Sequence, residues 1–308
     1  DLAKSTGNKD HMADALNTQG TAFYLKSDYY GALEYFKRSL QYHIEIDNKI
    51  GLSGSYTNIG VIYNILGNSK KALEYYKKGL ETQEELGHNL GMASTYVNIG
   101  ILYEDQENYQ MALEYFFNGL DKFKEIKNKQ GIAKSYSNIG DVYSRQNMYE
   151  KALEYHRYSL KIDQEIDNNN GIANSYSNIG GVYFDQSNYE KALIYYQKSV
   201  NIAQEAGNKK QMAKSNYGIG LIYFEQSKYK NALIYANKSL LLSQEINALE
   251  LVDNSSKLLF EIHKKTGSDK KALQMYEVYI AARDILVKEE GKEELMEMEI
   301  QKKYELKK

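Results

Sequence analysis

A nine-residue segment recurs along this chain at intervals of forty residues. The segment SYSNIGDVY (135–143) has close copies at 55–63, 95–103, 175–183 and 215–223. Six glycines also stand forty residues apart, from Gly20 to Gly220, and so do seven Ala-Leu pairs, from Ala32 to Ala272. A fixed period of this length is typical of repeat proteins, in which each unit buries its apolar face against its neighbours. The period therefore predicts a stack of similar units.

Within one unit the apolar residues follow a helical spacing, which predicts two helices separated by a polar break at residues 105–108. The apolar face of the first helix consists of Tyr96, Ile99, Gly100 and Tyr103. The matching face of the second consists of Ala112, Phe116 and Leu120. A series of residues tolerant of left-handed backbone marks the turn between units: Gly7, Asp47, Gly87, Lys127, Asp167, Gly207 and Asn247. Each unit is thus predicted to be a helical hairpin.

The recurring glycine lies in the middle of the first predicted helix, where glycine costs about 1 kcal/mol relative to alanine. Because the glycines keep a strict register, we expect each to allow a close approach between the two helices of its hairpin. The small alanine of the second helix, such as Ala112 opposite Gly100, is the expected partner.

The motif Tyr96-x2-Ile99-Gly100-x2-Tyr103, followed by Ala112-x3-Phe116, resembles the tetratricopeptide repeat, whose pattern is W-x2-L-G-x2-Y…A-x3-F…P. Tyrosine replaces the tryptophan, isoleucine replaces the leucine, and the closing proline is missing. The period of forty instead of 34 resembles a subclass found in kinesin light chains, spindle-orientation adaptors and bacterial sensor proteins. This resemblance implies an all-α fold, a right-handed superhelical solenoid of antiparallel helix hairpins.

The register divides the chain into three parts. Residues 13–282 form seven predicted units, with starts at Ala13, Ser53, Ala93, Ala133, Ala173, Ala213 and Asp253. Residues 1–12 align with 201–212 and are predicted to be the remnant second helix of an upstream repeat. Residues 283–308 leave the repeat pattern, and two roles stay open for them, a capping helix or a connector to a downstream domain. The segment resembles the end of the repeat region in Bacteroidetes-type sensor proteins.

Composition excludes several classes of function. The net charge of −2 provides no basic stripe for nucleic acid, and no apolar run is long enough to suggest membrane contact by this segment. The chain has no cysteine, its five histidines show no metal-ligand spacing, and no phosphate loop or nucleophile elbow is present. We therefore predict no enzyme activity and no cofactor. His156 stands where other units have Phe36, Tyr76, Phe116 and Tyr196, which indicates packing.

An asparagine recurs at the sixth position of the four central units, at Asn58, Asn98, Asn138 and Asn178. Asparagine is unfavourable inside a helix, yet its amide offers both donors and an acceptor. We predict that these side chains face a concave groove and bind the backbone of an extended peptide, as asparagines at this position do in the resembling families. The alternative stays open that the amides bond to one another or to neighbouring helices, or are only traces of duplication.

Other polar residues are predicted to line the same groove, namely Asn64, Glu104, Asp105, Lys134, Asp141, Arg145, Asn174 and Asp185. Their mildly acidic balance favours a peptide with basic character. The sequence thus predicts a non-catalytic protein- or peptide-binding scaffold, the sensory or interaction region of a larger bacterial signalling protein. Two alternatives are a cytoplasmic receptor for short signalling peptides and a structural assembly module. The oligomeric state and the side of the membrane are left open.

Overall fold

The computed structural model describes residues 9–285, which are helical apart from three-residue connections and contain no strand. Thirteen helices have the bounds α1 Lys9–Leu25, α2 Tyr29–Glu45, α3 Lys49–Ile65, α4 Ser69–Glu85, α5 Asn89–Asp105, α6 Tyr109–Glu125, α7 Lys129–Arg145, α8 Tyr149–Glu165, α9 Asn169–Asp185, α10 Tyr189–Glu205, α11 Lys209–Glu225, α12 Tyr229–Glu245 and α13 Leu249–Lys265. A further helix, α14, occupies 269–285. The predicted all-α solenoid of helix hairpins is confirmed.

Left-handed residues in the connections reverse the chain at regular intervals. The predicted series between units has positive φ at each described member, for example 51° at Asp47 and 55° at Lys127. A second series within the hairpins, which the sequence pattern did not single out, includes Ser27, Glu107 and Ser187 with φ of 57° to 60°. Both kinds of connection therefore contain a residue in the left-handed conformation, even where that residue is neither glycine nor asparagine.

Asparagine side chains cap the beginnings of several helices. The Asn48 side chain accepts a hydrogen bond from the Gly51 backbone N–H at 3.0 Å, so α3 begins at Lys49, four residues before the predicted unit start. The same offset places residues 9–12 in α1, which corrects the prediction that they belong to a preceding second helix. Residues 1–8 and 286–308, which carry most of the two predicted terminal segments, lie outside the described residues. The division of 13–282 into seven units stays a prediction.

The chain divides into two compact units, residues 1–135 and 136–308, with the boundary inside α7. In the first unit α1 packs against α2, α3 against α4, and α5 against α6, and each hairpin also contacts the next one. The second unit continues the same pattern from α8 through α13. Its core includes Ile179, Ile219 and Ile222, which are at most 1% exposed. Each unit buries a continuous core between stacked hairpins.

Five of the six recurring glycines pack against an aromatic ring, so the expectation of an alanine partner is wrong for them, whereas Gly220 lies against Ala236 and Leu258. A Cβ added to Gly100 would lie 2.5 Å from the Phe116 ring, four residues beyond the expected Ala112. The same relation holds for Gly20 with Phe36, Gly60 with Tyr76, Gly140 with His156 and Gly180 with Tyr196. The physical reason is that a ring needs flat space on the facing helix, which only a residue without a side chain leaves. The predicted packing role of His156 is confirmed, since it is 1% exposed.

In three hairpins a buried serine of the second helix bonds to the backbone of the first helix. Ser39 Oγ donates to the Ala13 carbonyl at 2.8 Å, and Ser239 Oγ donates to the Ala213 carbonyl at 2.8 Å. Ser199 Oγ makes the equivalent bond to the Ala173 carbonyl at 2.7 Å. Each of these bonds joins residues that are 26 positions apart. The bonds satisfy a hydroxyl that would otherwise be unpaired in the core.

Candidate ligand-binding groove

A polar cavity of about 280 Å³ lies in the second unit between the first helices of successive hairpins. Three of the predicted site residues line it, Asp141 of α7 and Asn178 and Asp185 of α9. The remaining lining residues are Ser144, His156, Ser177, Gly181, Val182, Tyr196, Lys214, Tyr217, Gly218 and Leu221. Most of these residues occupy the positions of the first helix that the sequence pattern places away from the packed stripe.

The Asn178 amide is fixed by the protein's own side chains at its nitrogen. Nδ2 donates to Asp141 Oδ1 at 3.1 Å and to Ser137 Oγ at 3.3 Å. Its carbonyl oxygen accepts no hydrogen bond from the described residues, so it is an available acceptor at the cavity wall. The alternative interpretation therefore applies to the nitrogen of this amide, and ligand binding by its carbonyl oxygen stays a prediction.

Electrostatics make one side of the cavity acidic. Desolvation raises the pKa of the Asp185 carboxyl, although part of this residue remains in contact with solvent. Burial, with a smaller contribution from Lys214, lowers the pKa of His156 to about 4, so this ring is neutral at pH 7. His156 Nε2 lies 3.7 Å from Asp141 Oδ1, and the neutral ring brings no positive charge to that carboxylate. Lys214 is the single cationic residue among those lining the cavity.

A second cavity of about 580 Å³ shares Lys214 and Tyr217 with the first. The predicted residue Asn174 lines it, together with Asn170, Asn208, Lys210, Gln211, Glu250, Leu251 and Asn254. The two cavities form one polar groove across α7, α9, α11 and α13, which we call the unit-2 groove. Lys214 and Asn254 were not predicted, although they stand forty and eighty residues, respectively, beyond Asn174 in the same register. Continuing the forty-residue spacing of Asn174 into the outer repeats identifies both residues.

Of the other two predicted residues in the second unit, the Nδ2 atom of Asn138 is buried and makes no hydrogen bond, whereas Arg145 is exposed. Six predicted residues lie in the first unit, namely Asn58, Asn64, Asn98, Glu104, Asp105 and Lys134. Asn58 Nδ2 donates to Asn17 Oδ1 at 3.0 Å, which is an internal bond of the kind that the alternative interpretation expects. Asn98, Asn64 and Glu104 are half-buried, and Asp105 and Lys134 are exposed.

Comparison with known proteins identifies the architecture. The family model for the tetratricopeptide repeat matches residues 11–85, 91–165 and 171–245. This chain belongs to the tetratricopeptide repeat family. No curated protein matches the sequence. No helix of the described part of this repeat protein is long and apolar enough to cross a membrane, and the same residues contain no His, Cys, Asp or Glu cluster that could hold a metal ion.

Solved structures with the same fold include regulatory proteins. The apo form of RapI is similar to this repeat protein with a TM-score of 0.70 and 19% identity, over 90% of this chain and 99% of that chain. A Rap conjugation gene regulator in complex with the Phr* peptide has a TM-score of 0.63 and 19% identity, over 88% and 74% of the two chains. A STAND ATPase with a tetratricopeptide repeat sensor from Pyrococcus horikoshii has a TM-score of 0.65 and 17% identity, over 93% and 49%.

Proposed function

We propose that this tetratricopeptide repeat protein is a non-catalytic scaffold whose unit-2 groove binds an extended peptide containing a basic residue. The observation that carries the proposal is the convergence of Asn178, Asp141 and Asp185 on one cavity. We also propose that the chain is the sensory or interaction region of a larger signalling protein. The STAND ATPase of similar fold is described as having a tetratricopeptide repeat sensor.

The groove offers separate contacts for the backbone and for one side chain of the ligand. The available carbonyl of Asn178 suits a peptide N–H, and Asn174 and Asn254 continue amide groups along the second cavity. An arginine or lysine side chain near Asp141 and Asp185 would make charge-assisted hydrogen bonds, each contributing about 1.5–3 kcal/mol. Because the groove wall is built on packed helices, these contacts form with little loss of protein entropy.

A short signalling peptide is the second candidate ligand, since one protein of similar fold is described in complex with the Phr* peptide. The cavities of about 280 and 580 Å³ hold a peptide of a few residues at a time, and a longer segment would extend beyond them. A structural assembly role has no specific observation in its favour among the described residues.

Fluorescence anisotropy with labelled hexapeptide libraries tests the proposal. Libraries that fix arginine, lysine, alanine or glutamate at each position are titrated with the wild type and with the variants Asp185→Asn and Asn178→Ala. Arginine- and lysine-containing libraries are expected to bind, and each variant is expected to weaken that binding about tenfold. The exposed positions of Asp121→Asn and Asn118→Ala in α6 provide matched controls that keep wild-type affinity. No binding by the wild type, or equal binding by wild type and groove variants, contradicts the proposal.

A further inference from the structure

The outward faces of α10 and α12 differ from those of the earlier second helices. Ile194 and Ile234 are 49% and 53% exposed. The equivalent residue two places after the repeated alanine is an acid in the first four second helices, Glu34, Glu74, Glu114 and Glu154. Isoleucine therefore replaces glutamate at a solvent-facing position in two successive hairpins. Single exposed apolar residues are normal on protein surfaces, so the meaning of this replacement depends on the charges and the cleft around it.

The same replacement leaves two lysines without an internal carboxylate. In α4, Glu74 Oε1 lies 2.7 Å from Lys78 Nζ, four residues later. The equivalent lysines of α10 and α12 have isoleucine at that place and form no ion pair among the described residues. Lys198 Nζ lies 5.3 Å from the centre of the Tyr195 ring, and Lys238 Nζ lies 5.2 Å from that of Tyr235.

No acidic residue occurs in 191–204 or 230–244, which make up nearly all of these two helices. We use the name isoleucine face for the exposed residues Ile194 and Lys198 of α10 and Ile234, Asn237, Lys238 and Leu241 of α12. This face combines apolar side chains with positively charged lysines, and residues 191–204 and 230–244 contain no acidic residue that could neutralise them. Leu241, which is 67% exposed, extends the apolar part toward the end of α12.

The isoleucine face contains a cleft beside Ile194. It has a volume of about 390 Å³ and is lined by Leu193, Ile194, Gln197, Lys198 and Asn201 of α10, by Ile219 and Tyr223 of α11, and by Tyr235 of α12. None of these residues lines the unit-2 groove. The cleft is therefore a separate site, in which apolar walls accept a side chain and Lys198 stands at the rim.

We propose that the isoleucine face is a second docking surface, which binds an acidic amphipathic helix of a partner protein. One apolar side chain of that helix enters the cleft beside Ile194, and others cover Ile234 and Leu241. Carboxylates on the flanks of the helix pair with Lys198 and Lys238, as Glu74 does with Lys78 within α4. Apolar anchors at i, i+3 or i+4 and i+7 are how an amphipathic helix binds along a groove. Complementary charge selects an acidic over a basic helix.

The test uses a fluorescein-labelled 18-residue peptide with leucine at helical spacing and glutamate elsewhere, and a second peptide with lysine in place of every glutamate. Anisotropy is measured with the wild type and with Ile194→Glu/Ile234→Glu. That double variant restores the residue of the earlier repeats at both positions, so it is expected to fold, and circular dichroism checks this. The control Ile50→Glu/Leu90→Glu charges two exposed apolar residues of α3 and α5 that also stand forty apart.

The glutamate peptide is expected to bind the wild type and the control equally, and the isoleucine-face variant at least about tenfold more weakly. Lys198→Gln/Lys238→Gln is expected to weaken binding and to reduce its dependence on salt. Asp185→Asn is expected to leave it unchanged, because the groove is separate. No binding of the glutamate peptide, or equal binding by all variants, overturns the proposal.

Two further measurements assign the occupant. Light scattering compares the wild type with Ile194→Glu/Ile234→Glu, and a peptide of residues 286–308 is titrated in the same assay. An oligomer that only the double variant abolishes would make a second copy of the chain the occupant and overturn the proposal. Tighter binding of the 286–308 peptide than of the glutamate peptide would assign the face to the chain's own segment and overturn it as well. A wild-type monomer with weak binding of 286–308 supports a separate partner.

Discussion

The Tyr76 ring of α4 lies directly over Gly60 of α3, so that a Cβ added to this glycine would be 2.6 Å from the ring carbons Cδ1 and Cε1. Tyr76 is 1% exposed, and its neighbours leave the ring no room to move away. The glycine is thus retained for the space it leaves, despite its cost in helix propensity.

Gly60→Ala is expected to destabilise the protein by about 1–3 kcal/mol, because overpacking exceeds the gain in helix propensity. Gly54→Ala provides a matched control in the same helix, since nothing lies within 4 Å of a Cβ added there. That substitution is expected to stabilise by about 1 kcal/mol. Urea unfolding followed by circular dichroism measures both. Similar midpoints for the two variants would contradict the proposed role of the ring.

Ser215→Ala is expected to cost about 1–2 kcal/mol, because it removes a buried network of hydroxyl and amide groups. Ser215 Oγ lies 2.8 Å from Ser199 Oγ and accepts from Gln211 Nε2 at 3.2 Å. Ser135 stands at the same position of an earlier repeat, and its buried Oγ has no hydrogen-bond partner. Ser135→Ala is therefore expected to be neutral or stabilising in the same unfolding experiment. Equal losses from both substitutions would show that packing, rather than hydrogen bonding, determines the cost.

His156→Phe is expected to reduce the loss of stability in acid. The ordinary histidine pKa is 6.5, and burial lowers that of His156 to about 4, so at pH 5 the unfolded state holds a proton that the folded state does not. Stability therefore falls as pH drops from 7 toward 4, by about 2 kcal/mol at pH 5 from this residue alone. Phe116 shows that phenylalanine fits the equivalent place against glycine. Unfolding at pH 7 and pH 5 measures the effect, and an equal loss in both proteins refutes it.

Binding of an arginine-containing peptide is expected to weaken as the pH falls from neutral into the acid range, at a higher pH than for an ordinary aspartate. Because desolvation raises the pKa of Asp185, this carboxyl takes up a proton at higher pH than an ordinary aspartate does and then no longer attracts a cation. Asp185→Asn is expected to bind weakly across this pH range, with a smaller change over it. Anisotropy titrations at constant ionic strength measure this, with circular dichroism to confirm the fold. A pH dependence that persists fully in the variant would assign it to another group.

The fold could be predicted from the sequence because every unit repeats the same few requirements at the same spacing. The turn residues show what the sequence pattern predicts and what it does not. Asp47 and Gly87 belong to residue types that favour left-handed backbone, whereas Glu107 adopts it with a φ of 57° because the helices on either side require the reversal. The glycine's true partner was missed because helical spacing reveals which residues share a face, but not which residue of the facing helix reaches them.

Part of the candidate site could be predicted, because the repeat register shows which side chains lie on the same side of their helices. Register indicated that Asp141, Asn178 and Asp185 share a wall, and all three line one cavity. It did not indicate that the Asn178 nitrogen bonds to Asp141, since a hydrogen bond between hairpins depends on side-chain orientation. Lys214 was missed because the prediction did not continue the forty-residue spacing of Asn174 into the outer repeats.

The serine bonds of the first, fifth and sixth hairpins have a genetic consequence. Since Ser39, Ser199 and Ser239 each bond 26 residues back, within one repeat length, each of these three repeats contains both ends of its own tie. Unequal crossing-over between two repeats that carry this serine, in a step of forty codons, would again place each serine beside an equivalent carbonyl. The gene can therefore change the number of such repeats in whole steps without separating a serine from its partner.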